Sequence, residues 1–228
     1  MDKSATIELS RSEDSRSVLT TGSGPRDQTY STVFVVGPSS SGKTTLCNAI
    51  AAKLHLDPRR HIKEVARDVM RTQGFSRHTV KTYEMQHAIM VAQLREEMRV
   101  LAMPPDGSTQ LQMLSDRSAV DPVVYASTSG TPEAEIMRRR LMLEPDFLRE
   151  VLWYREALFV VLSPVPEWLE DDGIRSLDDP SSYHTTLCNL LTELNIPFIQ
   201  IDEEMKDLTE RVLFVENHLH IIPKTSTS

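Results

Sequence analysis

Gly37-Pro38-Ser39-Ser40-Ser41-Gly42-Lys43-Thr44 has the residue types and spacing of a loop built to hold phosphate. The glycines let the backbone turn tightly and bring N–H groups onto anionic oxygens. Lys43 would supply an ammonium to the β- and γ-phosphates of a nucleoside triphosphate, and Thr44 a hydroxyl to Mg²⁺. Ser39, Ser40, Ser41 and Thr45 complete the expected lining. A Gly/Ser-rich turn with no ligand is the competing reading. The complete motif, set between an apolar run and a helical segment, leaves that reading little weight.

Three other places carry groups suited to phosphoryl transfer. Ser115-Asp116-Arg117-Ser118 follows a third predicted strand, at a distance where its end would face the loop. A carboxylate there helps to hold Mg²⁺, so Asp116 joins Thr44 as an expected metal ligand. Arg117 would suit an oxyanion of donor or acceptor, whereas a plain turn would use Asp116 as a helix cap. Lys63-Glu64-Val65-Ala66-Arg67 follows a second short strand. Ligands of open parallel sheets lie beyond the carboxyl ends of the strands, where Glu64 could deprotonate an attacking hydroxyl. Glu64 and Arg67 could equally form a surface pair three residues apart on a helix. Arg175, close to Gly173 in an acidic stretch, fits a closing lid that neutralises the transferring group and excludes water. A solvated acidic loop balanced by one arginine is the other possibility.

These groups need a frame to bring them together. The chain has 228 residues, 39% hydrophobic and 25% charged, as expected of one soluble globular domain. Residues 1–29 are Ser-, Thr-, Asp- and Arg-rich and are predicted to form a disordered tail, with the domain over 30–220 and a loose end at 221–228. Strands are predicted at 32–36, near 61, and at 110–114, 158–162 and 197–201. Helices are predicted at 43–54, within 61–74, and at 79–103, 120–128, 132–141, 144–154, 181–194 and 205–218. This alternation predicts a three-layer α/β/α P-loop NTPase fold with a five-stranded parallel sheet.

Charge and cysteines narrow the partners. A net charge of −8 disfavours nucleic acid and anionic membrane surfaces. No apolar run approaches the ~20 residues of a transmembrane helix. Cys47 and Cys188 have no metal-ligand spacing and read as buried thiols of a reducing compartment, the cytoplasm.

Taken together, GPSSSGKTT (37–45), KEVAR (63–67), SDRSAVDPVVYA (115–126) and DDGIRSL (171–177) resemble the NadR/TRPL-translocation-defect-like P-loop group. That group is often labelled an AAA domain and lies structurally near the nucleoside and thymidylate kinases. The likeness runs in order over residues 31 to 218. DDGIRS is similar to the lid of the ribosylnicotinamide kinase domain of NadR. KEVAR resembles the segment of deoxynucleoside kinases whose glutamate deprotonates the sugar 5′-hydroxyl, which implies that role for Glu64. SDRS resembles their ERS motif, which implies places around metal and phosphates for Asp116 and Arg117. Lys63 departs from the small residue, apolar residue or proline usual there, and Asp116 replaces a glutamate.

The resemblance implies a kinase that transfers the γ-phosphate of ATP, or of GTP, to a hydroxyl of a nucleoside-like small molecule with Mg²⁺ bound. Because the group also includes regulators, a nucleotide-binding protein with slow hydrolysis and a protein or lipid partner is the alternative. Lesser candidates stay open. Arg138, Arg139 and Arg140 would line an acceptor pocket or form a solvated face. Tyr83, Gln86 and Gln93 would border that pocket or face solvent, and Met85, Met90 and Met98 are expected in the core.

Overall fold

Strand β1 (Thr32–Val36) is buried along its whole length because helices cover both faces of the sheet around it. The computed structural model describes residues 30–105, 111–168 and 179–219. After β1 come α1 (Lys43–Lys53), β2 (His61–Ile62), α2 (Val65–Gln73), α3 (Tyr83–Leu101), β3 (Met113–Asp116) and α4 (Val120–Ser127). The chain continues through α5 (Ala134–Met142), α6 (Pro145–Tyr154), β4 (Leu158–Leu162), α7 (Pro180–Glu193), β5 (Phe198–Ile201) and α8 (Leu208–Leu219). All strand pairs are parallel, in the order β2-β3-β1-β4-β5.

Alternation along β1 divides the core. Val33 and Val35 join Leu46 and Ile50 of α1 and Val212 and Val215 of α8. Phe34 and Val36 join Met90 of α3, Val123 of α4, Phe147 of α6 and Leu187 of α7. Successive strand residues face opposite sides, so one apolar run serves both layers. Phe34 stacks on Phe159 at 4.7 Å and meets Tyr154 edge-on at 4.9 Å. Truncation of such a ring to alanine costs about 3–5 kcal/mol.

The predicted fold class holds, with local shifts that matter for the site. The third strand was expected at 110–114, but β3 runs to Asp116, with Phe34 opposite Ser115 and Val35 opposite Asp116. These polar side chains can be buried because both find partners inside the protein. The long helix starts later than position 79. Arg77–Thr79 forms a single 3₁₀ turn closed by Ser76 and Thr79, and α3 begins after Thr82, whose hydroxyl accepts from Met85 N at 3.4 Å. Met85 and Met90 lie in the core as expected, whereas Met98 is 43% exposed. Cys47 is buried and Cys188 half-buried. Among the described residues, no helix is long and apolar enough to cross a membrane.

Candidate active site

The phosphate-type loop leaves the carboxyl end of β1 and enters α1 through backbone that only particular residues tolerate. Gly37 has φ +147°, and a β-carbon there would sit 2.6 Å from Leu162 O. Gly42 has φ +88°, and its β-carbon would lie 3.2 Å from an Arg211 guanidinium nitrogen and 3.3 Å from the Trp168 ring. Glycine is required twice, for conformation and for room. Helix α1 begins with no side-chain cap and no acidic residue in its first turn. Its first amides therefore lack intrahelical partners and present their partial positive charge outward.

Lys43 curls over this loop. Its Nζ donates to Pro38 O and, at 3.4 Å, to Ser41 Oγ, which itself donates to Pro38 O at 3.0 Å. Burial, and next the nearby Arg117 charge, lower its pKa to about 7. Thr44 and Thr45 are exposed, and Ser39 and Ser40 are half-buried.

The expected metal pair is assembled between the first turn of α1 and the end of β3. Thr44 Oγ1 donates to Asp116 Oδ2 at 2.5 Å, while Asp116 Oδ1 is buried with no hydrogen-bond partner. A buried carboxylate oxygen left without a partner is costly unless a cation or water meets it. A hydroxyl and a carboxylate are the hard oxygen donors that Mg²⁺ takes, with waters and substrate phosphates supplying the rest. Among the described residues there is no cluster of three or more His, Cys, Asp or Glu that could hold a metal ion. The residues present fit the ion.

Arg117 organises the other half of the site. It follows β3 with φ +85°, a left-handed conformation that costs a non-glycine residue about 1–3 kcal/mol. Its Nε donates to Glu64 Oε1 at 3.0 Å and its Nη1 to Asp121 Oδ1 at 2.9 Å. The same Nη1 lies 3.5 Å from Gly37 O, so the guanidinium reaches the phosphate loop. Burial works against its charge, but Glu64 and Asp121 outweigh that and hold it cationic. Glu64, at the entrance of α2, also accepts from Arg67 at 2.8 Å. The surface pair with Arg67, one of the two readings of this segment, exists, and the same carboxylate also meets Arg117. Asp121 further accepts from Ser118 N at 3.0 Å and from Tyr183 at 2.7 Å. Beside Pro38 and Ser39 opens a cleft lined also by Val80, Lys81, Tyr125 and Tyr183.

A family profile described as an AAA domain matches residues 32–211. The chain belongs to that family. Among relatives of this AAA-family domain, the shikimate kinase of Shewanella oneidensis is 29% identical over 166 residues, covering 66% of this chain and 89% of the relative. In structure the domain is similar to NadR in complex with NAD and AMP-PNP, with TM-score 0.65 and 20% identity over 85% of this chain. The chain spans half the length of that NadR chain. It is also similar to a deoxyadenosine kinase from M. mycoides, with TM-score 0.54 and 16% identity over 84% of this chain and all of the other. The fold is a kinase-like P-loop fold.

Within the AAA-family domain, Lys43, Thr44, Asp116, Glu64 and Arg117 lie together at the carboxyl end of the sheet. Arg175 lies outside the described residues. Gln86 and Gln93 do not face solvent; both are 2% exposed. Gln86 donates to Val80 O at 2.6 Å and leaves its Oε1 buried without a partner. Arg138 pairs with Glu193, and Arg140 lies over the Tyr83 ring at 3.6 Å. Sequence reasoning missed Asp121, although its i,i+4 spacing from Arg117 was a usable signal. It also missed Arg211, which donates to Ser41 O at 3.1 Å from α8 and packs against Trp168. A contact between residues 170 positions apart leaves no local trace.

Proposed function

We propose that this AAA-family domain is a small-molecule kinase, transferring the γ-phosphate of ATP, or of GTP, to a hydroxyl of a nucleoside-like acceptor. One observation carries the reading: the Glu64 carboxylate is held by Arg117 beside the phosphate loop, separate from the carboxylate suited to the metal. A protein that only bound or slowly hydrolysed a nucleotide would need the loop and the metal pair but no such second carboxylate. The resemblance to the NadR/TRPL-translocation-defect-like group, the shikimate kinase relatives and the likeness to NadR support it.

In this scheme the uncapped amides of α1 and the Lys43 ammonium grip the polyphosphate. Thr44 and Asp116 hold Mg²⁺, which when bound neutralises charge on the phosphate oxygens. Glu64 accepts the proton of the acceptor hydroxyl. That oxygen forms a bond to the γ-phosphorus as the bond to the β,γ-bridging oxygen breaks, and the nucleoside diphosphate leaves. Arg117 fixes the direction of Glu64, and its reach to Gly37 O ties that direction to the loop.

The test is a panel of nucleosides, ribosylnicotinamide and shikimate added to protein, ATP and Mg²⁺. One acceptor is expected to raise ATP consumption, with a new phosphoester seen by mass spectrometry. Glu64→Gln is expected to abolish that stimulation and spare basal hydrolysis. If no acceptor stimulates turnover, and Glu64→Gln changes nothing, the regulatory reading replaces this one.

A further inference from the structure

Behind Arg117 lies a buried polar chain with no role in the chemistry above. Gln93 and Glu97 lie on α3 at 2% and 0% exposure, and Tyr154 at the end of α6 is fully buried. Gln93 Nε2 donates to Glu97 Oε1 at 2.8 Å and to Ser115 Oγ at 3.0 Å. Ser115 Oγ in turn donates to Arg117 O at 2.7 Å, and Gln93 Nε2 reaches the same carbonyl at 3.5 Å. From the other end, Tyr154 donates to Glu97 Oε2 at 2.7 Å and accepts from Ala119 N at 3.2 Å. One continuous set of hydrogen bonds therefore pins both sides of the short turn from Arg117 to Ala119.

That turn contains the left-handed Arg117. A backbone conformation that β-carbons disfavour persists only where its surroundings over-determine it. On the other side the arginine is fixed through its amide, which donates to Val35 O at 3.0 Å, and through its two carboxylate partners. The carbonyl is the remaining handle, and the α3 chain is what holds it. An apolar core would pack this space at less risk, since partly satisfied buried networks are destabilising. Burial, and next the Glu150 charge, raise Glu97 to about 8, while both its oxygens accept hydrogen bonds within the chain.

From these contacts we infer that Gln93 and Glu97 are positioning residues, which hold the Arg117 carbonyl so that its guanidinium is aimed between Glu64 and Asp121. The kinetic consequence rests on the kinase reading; the geometric one does not. The experiment follows the exchange of arginine Nε–H groups by NMR in the full chain, with the Arg211 Nε–H, bonded to Met205 O at 2.6 Å, as internal reference. In Gln93→Met, Arg117 Nε–H protection is expected to fall about tenfold or more while Arg211 stays unchanged. Ser115→Ala, a smaller change that removes the shorter of the two links to the Arg117 carbonyl, is expected to act the same way should Gln93→Met fail to fold. With an acceptor in hand, both variants should lower kcat about tenfold and keep the nucleotide KM within about twofold. Protection that stays at wild-type level at both arginines, or falls equally at both, overturns the inference, because the first shows no link and the second only general loosening. A failed acceptor screen alongside selective loss at Arg117 would sink the kinase reading and leave this one standing.

Discussion

The two halves of the site are built in opposite ways. The phosphate loop is a property of consecutive backbone: two glycines, an uncapped helix start and a lysine folded over its own loop. The Arg117 cluster is a property of side chains brought from five elements, with Glu64 before α2, Arg117 after β3, Asp121 on α4, Tyr183 on α7 and Gln93 on α3. The first can recur wherever its eight residues occur between strand and helix. The second exists only in the assembled fold, and it is where an acceptor would be chosen. Binding of the donor and activation of the acceptor should therefore be separable by mutation.

The sharpest way to break that comparison is Glu64→Gln. Loss of the proposed general base is expected to lower acceptor-dependent kcat about 10²–10⁴-fold, with nucleotide affinity by calorimetry held within about twofold. Equal loss of affinity would mean that the two halves are one. Next in size is Asp121→Ala, which leaves Arg117 with one carboxylate and Tyr183 without its acceptor. Removing one partner of a buried ion pair should cost about 3 kcal/mol, read as a lower denaturation midpoint at unchanged m-value. Lys43→Ala acts on the other half. Nucleotide affinity should fall about 10- to 100-fold, with loss of one charge-assisted contact and little change in thermal stability. An unchanged Kd would remove the basis of the phosphate-loop assignment.

The smallest effect is on pH. Lys43 in the free protein titrates near 7, whereas a bound polyphosphate would keep it protonated. Binding above pH 7 must therefore take up a proton, and affinity should fall by up to about tenfold per pH unit there. Calorimetry in buffers of different ionisation heat would count that proton. For stability the sign reverses: the folded pKa lies below the unfolded value of 10.5, so the unfolded chain binds more protons between about 7 and 10.5. Over that window the free protein gains stability from this group as pH rises.

The same contrast explains what could be read in advance. The alternating strands and helices, the five-stranded parallel sheet and the phosphate loop were legible, because strand burial, helix signals and the loop motif are local patterns. The end of β3 was misplaced, since Ser115 and Asp116 look like a turn until their buried partners are known. Gln93 was ambiguous for a similar reason. Nothing on α3 reveals that its amide meets Ser115 and Arg117, 22 and 24 residues later. Met98 was misjudged because a methionine at helical spacing fits a core whether or not that turn faces one.

Trp168 gives the phosphate loop an optical handle. Its ring lies against the space above Gly42 and beneath the Arg211 guanidinium, whereas Trp153, the other indole in the chain, lies 45% exposed on α6. Excitation of a Trp153→Phe protein would isolate emission from a fluorophore touching the turn proposed to hold the nucleotide. Ligand arrival would then be visible in milliseconds by stopped flow, without a label and without waiting for any acceptor to be named.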